Sequence, residues 1–187
     1  MDETNKSISY QPTDGLSYDP SEGTYWQSES LEKEIRRVFE ICHGCRLCFK
    51  YCDTFPSLFA LLDRKYEGNV RSINATEIPK ILDTCFQCKL CEVNCPYTPR
   101  DSHPYMVDFP KLVARARAHH VRENGVRLKD RFLANPDGSA KLARASLGLA
   151  NLANRIKPHR ILMEKVLGIH REKLLPVFSS QTFERWA

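Results

Sequence analysis

Cys42, Cys45, Cys48 and Cys52 are separated by two, two and three residues, and Cys85, Cys88, Cys91 and Cys95 repeat those intervals. The chain has eight cysteines, so none lies outside these two runs. Thiolates are soft ligands, suited to zinc, copper(I) and iron-sulfur centres. The interval pattern is that of the bacterial ferredoxin run, in which the fourth cysteine of each run serves the other cluster. Three thiolates can reach three corners of a small cuboidal cluster from one turn whose successive N–H groups face an anion. The fourth corner must be reached from elsewhere. The pairing expected is therefore Cys42, Cys45, Cys48 and Cys95 for one [4Fe-4S] cluster, and Cys85, Cys88, Cys91 and Cys52 for the other. Because a metal site couples to folding, the metal-free chain is expected to lose much of its fold.

Three other uses of the cysteines compete. Structural disulfides suit small exported domains, but the start, MDETNKSISY, lacks the basic and then apolar order of an export signal. Zinc favours two well-separated CxxC pairs over tight triplets. A [3Fe-4S] centre would need a displaced second cysteine, and both runs keep theirs.

The elements that must position these runs are helical by pattern. Leu31, Ile35, Val38 and Phe39 recur at helical spacing and deliver the chain to Cys42. Between the runs lie 32 residues, with one short helix over Leu58 to Tyr66 stopped near Gly68, and another through Ile78, Ile81 and Leu82. No stretch there alternates with period two. The expected fold is all-α, an alpha-helical ferredoxin with a helical extension. Its parts are residues 1–30, an extended or disordered acidic lead that could lie on a partner; 31–122, the cluster domain; and 123–187, a basic helical extension.

Within that extension and the helix before it, Asp108 is expected to cap a helix with Pro110 in its first turn and Asn124 and Gly125 as its stop. A helix over 126–134 should end at the turn NPDG. Leu142, Ala145, Leu149, Leu152 and Ile156 then follow an a/d stripe, Pro158 interrupts, and a last helix runs from Ile161 to Leu167. The end at Ala187, among aromatic and charged residues, is that expected of a fragment or of a chain that continues into another module.

Residues 1–34 hold 8 Asp/Glu against 2 Lys/Arg, whereas 111–187 hold 16 Lys/Arg against 6 Asp/Glu. Solvated helix faces explain such a basic end as well as an anionic partner does. Nucleic acid is not expected, because basic and aromatic residues do not interleave as a stacking platform requires. With no apolar run long enough to span a bilayer, the expected location is cytoplasmic, with peripheral contact at the inner face of the membrane as the alternative. No residue has the setting of an acid, base or nucleophile for substrate chemistry.

The twin runs with their helical connector, followed by VDFPKLVARARA, resemble the iron-sulfur subunits of the heterodisulfide reductase and anaerobic glycerol-3-phosphate dehydrogenase group. That resemblance implies an electron-transfer subunit working with a flavin-containing dehydrogenase subunit and with a CCG-module or quinone-reactive subunit. It is specific over residues 41–122. The cysteine-rich CCG modules common in that group have no counterpart here after Cys95. Around the cysteines, Arg46, Lys50 and Lys89 could raise cluster potentials or meet an acidic partner, and Gly44 is expected to allow a tight turn or a close backbone approach to the cluster. His43, His103, His119 and His120 are expected to pack or face solvent. Asp53 stands where the second run has Pro96, with Thr54 as the expected cap of the next helix.

Overall fold

The computed structural model describes residues 9–187. Among them the regular structure is helical throughout, with no strand. Two compact units divide between Asn124 and Gly125.

In the first unit, α1 spans Ser28–Cys45 and buries Leu31, Ile35, Val38, Phe39 and Ile41 along one face. Helix α2, Thr54–Lys65, buries Phe55, Leu58, Phe59 and Leu62. It stops where expected, with Gly68 at φ +82° donating its N–H to Leu62 O at 3.0 Å. Helix α3, Ile78–Asp83, buries Ile78, Ile81 and Leu82, and α4 is the short Leu90–Asn94. Helix α5, Phe109–Asn124, begins as the sequence implies. Asp108 accepts from Lys111 N at 3.0 Å, and Gly125 follows at φ +70°. One apolar core joins α1, α2, α3 and α5, with Val38, Leu58, Leu62 and Val113 wholly shielded from solvent. Removing that surface from water is the main force holding the unit together.

Two buried arginines bring in the lead. Arg115 of α5 donates to four backbone carbonyls of the lead, those of Tyr25 at 2.8 Å, Gly15 at 2.6 Å, Ser17 at 3.3 Å and Thr24 at 2.6 Å. Arg37 of α1 pairs with buried Glu34 at 2.7 Å and donates to Tyr10 O and Tyr105 O, each at 2.8 Å. Glu34 accepts in turn from the Thr13 amide at 2.9 Å and hydroxyl at 2.7 Å. The described lead, 9–27, irregular apart from a 3-10 turn at Gly23–Trp26, is therefore held on this chain's own helices, and the first eight residues of the expected 1–30 lead lie outside the described residues. Polar composition argued for disorder, but it says nothing of a guanidinium that satisfies backbone carbonyls. Gly15 passes so close to α1 that an added Cβ would collide with Ser30 O.

The second unit, Gly125–Ala187, carries α6, Leu128–Leu133; α7, Pro136–Ala145; α8, Leu149–Ala153; α9, Lys157–Leu167; and α10, Phe183–Trp186. Three expectations fail here. NPDG is no turn: Asn135 accepts from Gly138 N at 2.9 Å and starts α7. The a/d stripe is cut, because Leu147 and Gly148 both take positive φ, 50° and 92°. Ser146 Oγ accepts from Ala150 N at 3.0 Å in the first turn of α8, whose cap residue is Gly148. Leu142, Leu149 and Leu152 are left exposed. Pro158 sits in the first turn of α9 rather than between helices, since that position needs no N–H partner.

Removing the charge at Arg115 tests the strap. Arg115→Met leaves four carbonyls of the lead without their donor and should destabilise the protein by about 3–5 kcal/mol. Limited proteolysis should then cut within 9–27 before any other site; unchanged melting and cleavage would contradict this role.

Candidate metal centre

The cysteines sit on helix ends and tight turns. Cys42 and Cys45 lie in the last turn of α1, and Cys48 lies on a 3-10 turn, Leu47–Lys50. Cys52 comes just before α2. Cys85 follows α3, Cys91 lies in α4, and Cys95 ends α4. The two runs share a backbone device. Arg46 and Lys89, each just after the second cysteine of its run, adopt the left-handed conformation, φ 53° and 62°. A left-handed residue beside right-handed ones turns successive N–H groups toward one concavity, the geometry that receives an anion. Gly44 does not make this turn. It lies inside α1, and the positive φ falls on Arg46, two residues later.

Cys42, Cys45, Cys48 and Cys95 line a single cavity, walled by Ile41, Leu47, Phe55, Phe59, Pro96, Tyr97 and Val107. The fourth thiol of the second run is thus among the first three of the first run. Cys91 has Cys48, Cys85, Cys52 and Cys88 as neighbouring thiols. Burial pushes the Cys48 and Cys91 thiols up to about 12, and neighbouring thiols add to the shift. Cys42 is pushed well above the usual thiol range, first by burial and then by Cys48, Cys95, Cys91 and Cys45. Such a setting keeps thiols neutral until a cation replaces their protons.

The donor set fits clusters. Among the described residues, no three His, Cys, Asp or Glu side chains gather tightly enough to share one metal ion. A single zinc needs every sulfur about 2.3 Å from one centre, whereas a cuboidal cluster takes each sulfur at a different iron and so spreads four thiols round a larger void. All eight thiols are free of disulfides.

The other residues singled out in the sequence fall around this centre. Arg46 is exposed and engaged with Asp63 at 2.6 Å, a carboxylate it shares with His43 at 2.9 Å. The Arg46 guanidinium beside it holds the Asp63 carboxyl down at about 2. Lys50 and Lys89 are exposed, with no carboxylate in reach among the described residues. His119 is buried on Tyr25 O at 2.6 Å, His120 meets Asn124, and His103 accepts from Tyr105 N at 3.1 Å. Asp53, not Thr54, takes the cap position of α2, without a side-chain cap bond. Thr54 is buried, its hydroxyl bonded to that of Thr84 at 3.1 Å.

Two residues at the site carried no signal in the sequence. Tyr97 walls the first cavity and faces Cys45. Gln87, at φ 58°, directs its side-chain amide at Cys85 Sγ, 3.8 Å away. Neither belongs to a ligand type, so cysteine spacing could not find them.

Comparison with known proteins agrees with this centre. Residues 41–98 match the family model described as a 4Fe-4S dicluster domain. A stretch of 86 residues, 46% of this chain, is 28% identical to Citrate utilization protein B of Escherichia coli, of which it covers 20%. The chain thus spans about a fifth of the length of that curated relative. No solved structure matches. The chain is an all-helical protein with two [4Fe-4S] clusters, and no described helix is long and apolar enough to cross a membrane.

Burial orders the reactivity of the thiols. Only the thiolate is alkylated, so a thiol whose ionisation is pushed up reacts slowly until the pH approaches its raised value. If the fold outlasts removal of the metal, contrary to the expectation from its cysteines, exposed Cys45 and Cys88 should label with iodoacetamide at pH 8.5 at least about tenfold faster than Cys42, Cys48 and Cys91. Equal labelling of all eight, read by peptide mass spectrometry, would mean that the metal-free chain loses its fold.

Proposed function

We propose that this chain carries single electrons through its two clusters as part of an oxidoreductase complex. Cys42, Cys45, Cys48 and Cys95 hold one cluster, and Cys85, Cys88, Cys91 and Cys52 hold the other. The observation that carries this reading is Cys95 in the cavity of Cys42, Cys45 and Cys48. When bound, the clusters supply one-electron redox chemistry at potentials set by charge, hydrogen bonds and solvent.

The chain's own residues position and insulate. The left-handed Arg46 and Lys89 turn the chain sharply after the second cysteine of each run, and the Arg46 N–H itself is bonded to Cys42 O at 2.8 Å. Phe55, Phe59 and Val107 form an apolar wall, which keeps water from the first site and strengthens every interaction inside it. Leu47, Phe49, Phe86, Leu90 and Val93 leave an apolar face exposed on the cysteine loops, 48–77% open to solvent. With Lys50 and Lys89 beside it, that face suits an acidic redox protein.

The resemblance to the heterodisulfide reductase and anaerobic glycerol-3-phosphate dehydrogenase group favours a flavin-containing dehydrogenase as electron donor. It favours a CCG-module or quinone-reactive protein as acceptor. The likeness to Citrate utilization protein B covers only a fifth of that relative, so it bears on the clusters rather than on a substrate. A quinone-reactive acceptor would bring the chain to a membrane surface, where Arg155, Lys157 and Lys173, without ion pairs among the described residues, would face anionic lipid.

Anaerobic reconstitution should give about eight irons and eight sulfides per chain. The reduced protein should show an EPR spectrum of two interacting spins. Stoichiometric zinc, or one cluster only, would overturn the reading. Flotation of the same preparation with phosphatidylglycerol vesicles, and not with phosphatidylcholine, would support the membrane-surface acceptor; flotation with neither would exclude it.

A further inference from the structure

We propose that Gln87 is a positioning residue that holds a hydrogen bond on the Cys85 sulfur and thereby raises the midpoint potential of the cluster this cysteine holds. The inference rests on the ligand assignment above. Gln87 Nε2 lies 3.8 Å from Cys85 Sγ and 3.2 Å from Pro110 O. Both neighbours are acceptors, so the NH2 end of the amide must face them; the carbonyl end would meet two lone-pair surfaces. One N–H is committed to α5 and the other to sulfur.

The backbone is arranged to allow this. Gln87 adopts φ 58°, a region that favours glycine and, among residues with a side chain, asparagine and aspartate. A glycine would take that conformation without strain, yet would carry no donor. Strain retained at a site by a polar side chain aimed at a ligand points to a use for that side chain. The anchor is firm, because Pro110 is buried in the first turn of α5, just after the Asp108 cap. From the same helix, Arg117 donates to Cys85 O at 2.7 Å and Leu82 O at 3.2 Å. Helix α5 therefore anchors the Gln87 amide through Pro110 O and presents a fixed positive charge, Arg117, to Cys85, which is itself buried at 9% exposure.

The first run lacks the device. The position that matches Gln87 is Gly44, which lies within α1 and has no side chain to donate. One half of the pseudo-repeat thus carries an amide on its leading cysteine, and the other does not. Adding one electron to a cluster held by four thiolates increases its negative charge by one and breaks no bond. A donor aimed at a ligand sulfur favours that reduced form, and burial increases the effect.

The test uses the full chain with both clusters loaded and EPR-monitored redox titration. Gln87→Met keeps the side-chain length and removes both donors, and Gln87→Gly suits the left-handed backbone. Both variants should retain the iron of the parent protein. One of the two midpoints should fall while the other stays, and the falling one should belong to the signal that Cys85→Ala abolishes. Two unmoved midpoints, two that move together, or a fall in the signal that survives Cys85→Ala would overturn the role of Gln87. So would loss of iron in both variants, which would make Gln87 a support for the loop and nothing more. Failure of the parent protein to hold two clusters would instead remove the ligand assignment beneath it.

Discussion

Each cysteine run can offer three thiols from one turn, but a four-cornered site needs a fourth, and in the proposed crossed ligation that thiol comes from the other run. Cys95 beside Cys42, Cys45 and Cys48 is the contact through which this demand shapes the chain. The segment between the runs must leave the first site and return to it, and a helical connector does so while supplying apolar surface at both ends. Phe55 and Phe59 of α2 show the economy of this, since they fill the core and also wall the first cavity. Folding and cofactor binding thus draw on the same side chains.

Helix α5 is the second organising element. It packs on α1 and α3, binds the lead through Arg115, and reaches the second run through Arg117, which donates to Cys85 O, and through Pro110 O, which accepts from Gln87. A buried guanidinium is costly unless its donors are satisfied. Arg115 meets four carbonyls, and Arg37 meets a carboxylate and two carbonyls. Both cations tie irregular backbone to helices, so the segments that could not build a core of their own are held by polar contacts instead. The loop after the second run is fixed the same way, through Tyr105 O on Arg37 and the Tyr18 hydroxyl, which donates to Met106 O at 3.0 Å.

Much of this was legible in the residues. Cysteine intervals pointed to two clusters, helical periodicity placed the helices of the first unit, and Asp108, Pro110 and Gly125 marked both ends of α5. What escaped has physical causes. Capping shifted by one residue at Asp53 because Thr54 is drawn into the core by Thr84. The left-handed turns fell on Arg46 and Lys89 rather than on a glycine, and sequence propensity gives no warning of strain imposed by a site. The stripe from Leu142 to Ile156 had the spacing of one helix, but Ser146 and Gly148 together offered a stop and a new cap. The lead was read from composition alone, which cannot show that its carbonyls answer two arginines far along the chain.

Crossed ligation is the claim on which the folding of the cluster domain and its electron path both stand, and EPR of single-cysteine variants tests it most directly. Crossing predicts that Cys42→Ala and Cys95→Ala leave the same surviving cluster signal, and that Cys85→Ala and Cys52→Ala leave the other. If Cys95→Ala instead shares its surviving signal with Cys85→Ala, each run holds its own cluster and the crossing is wrong.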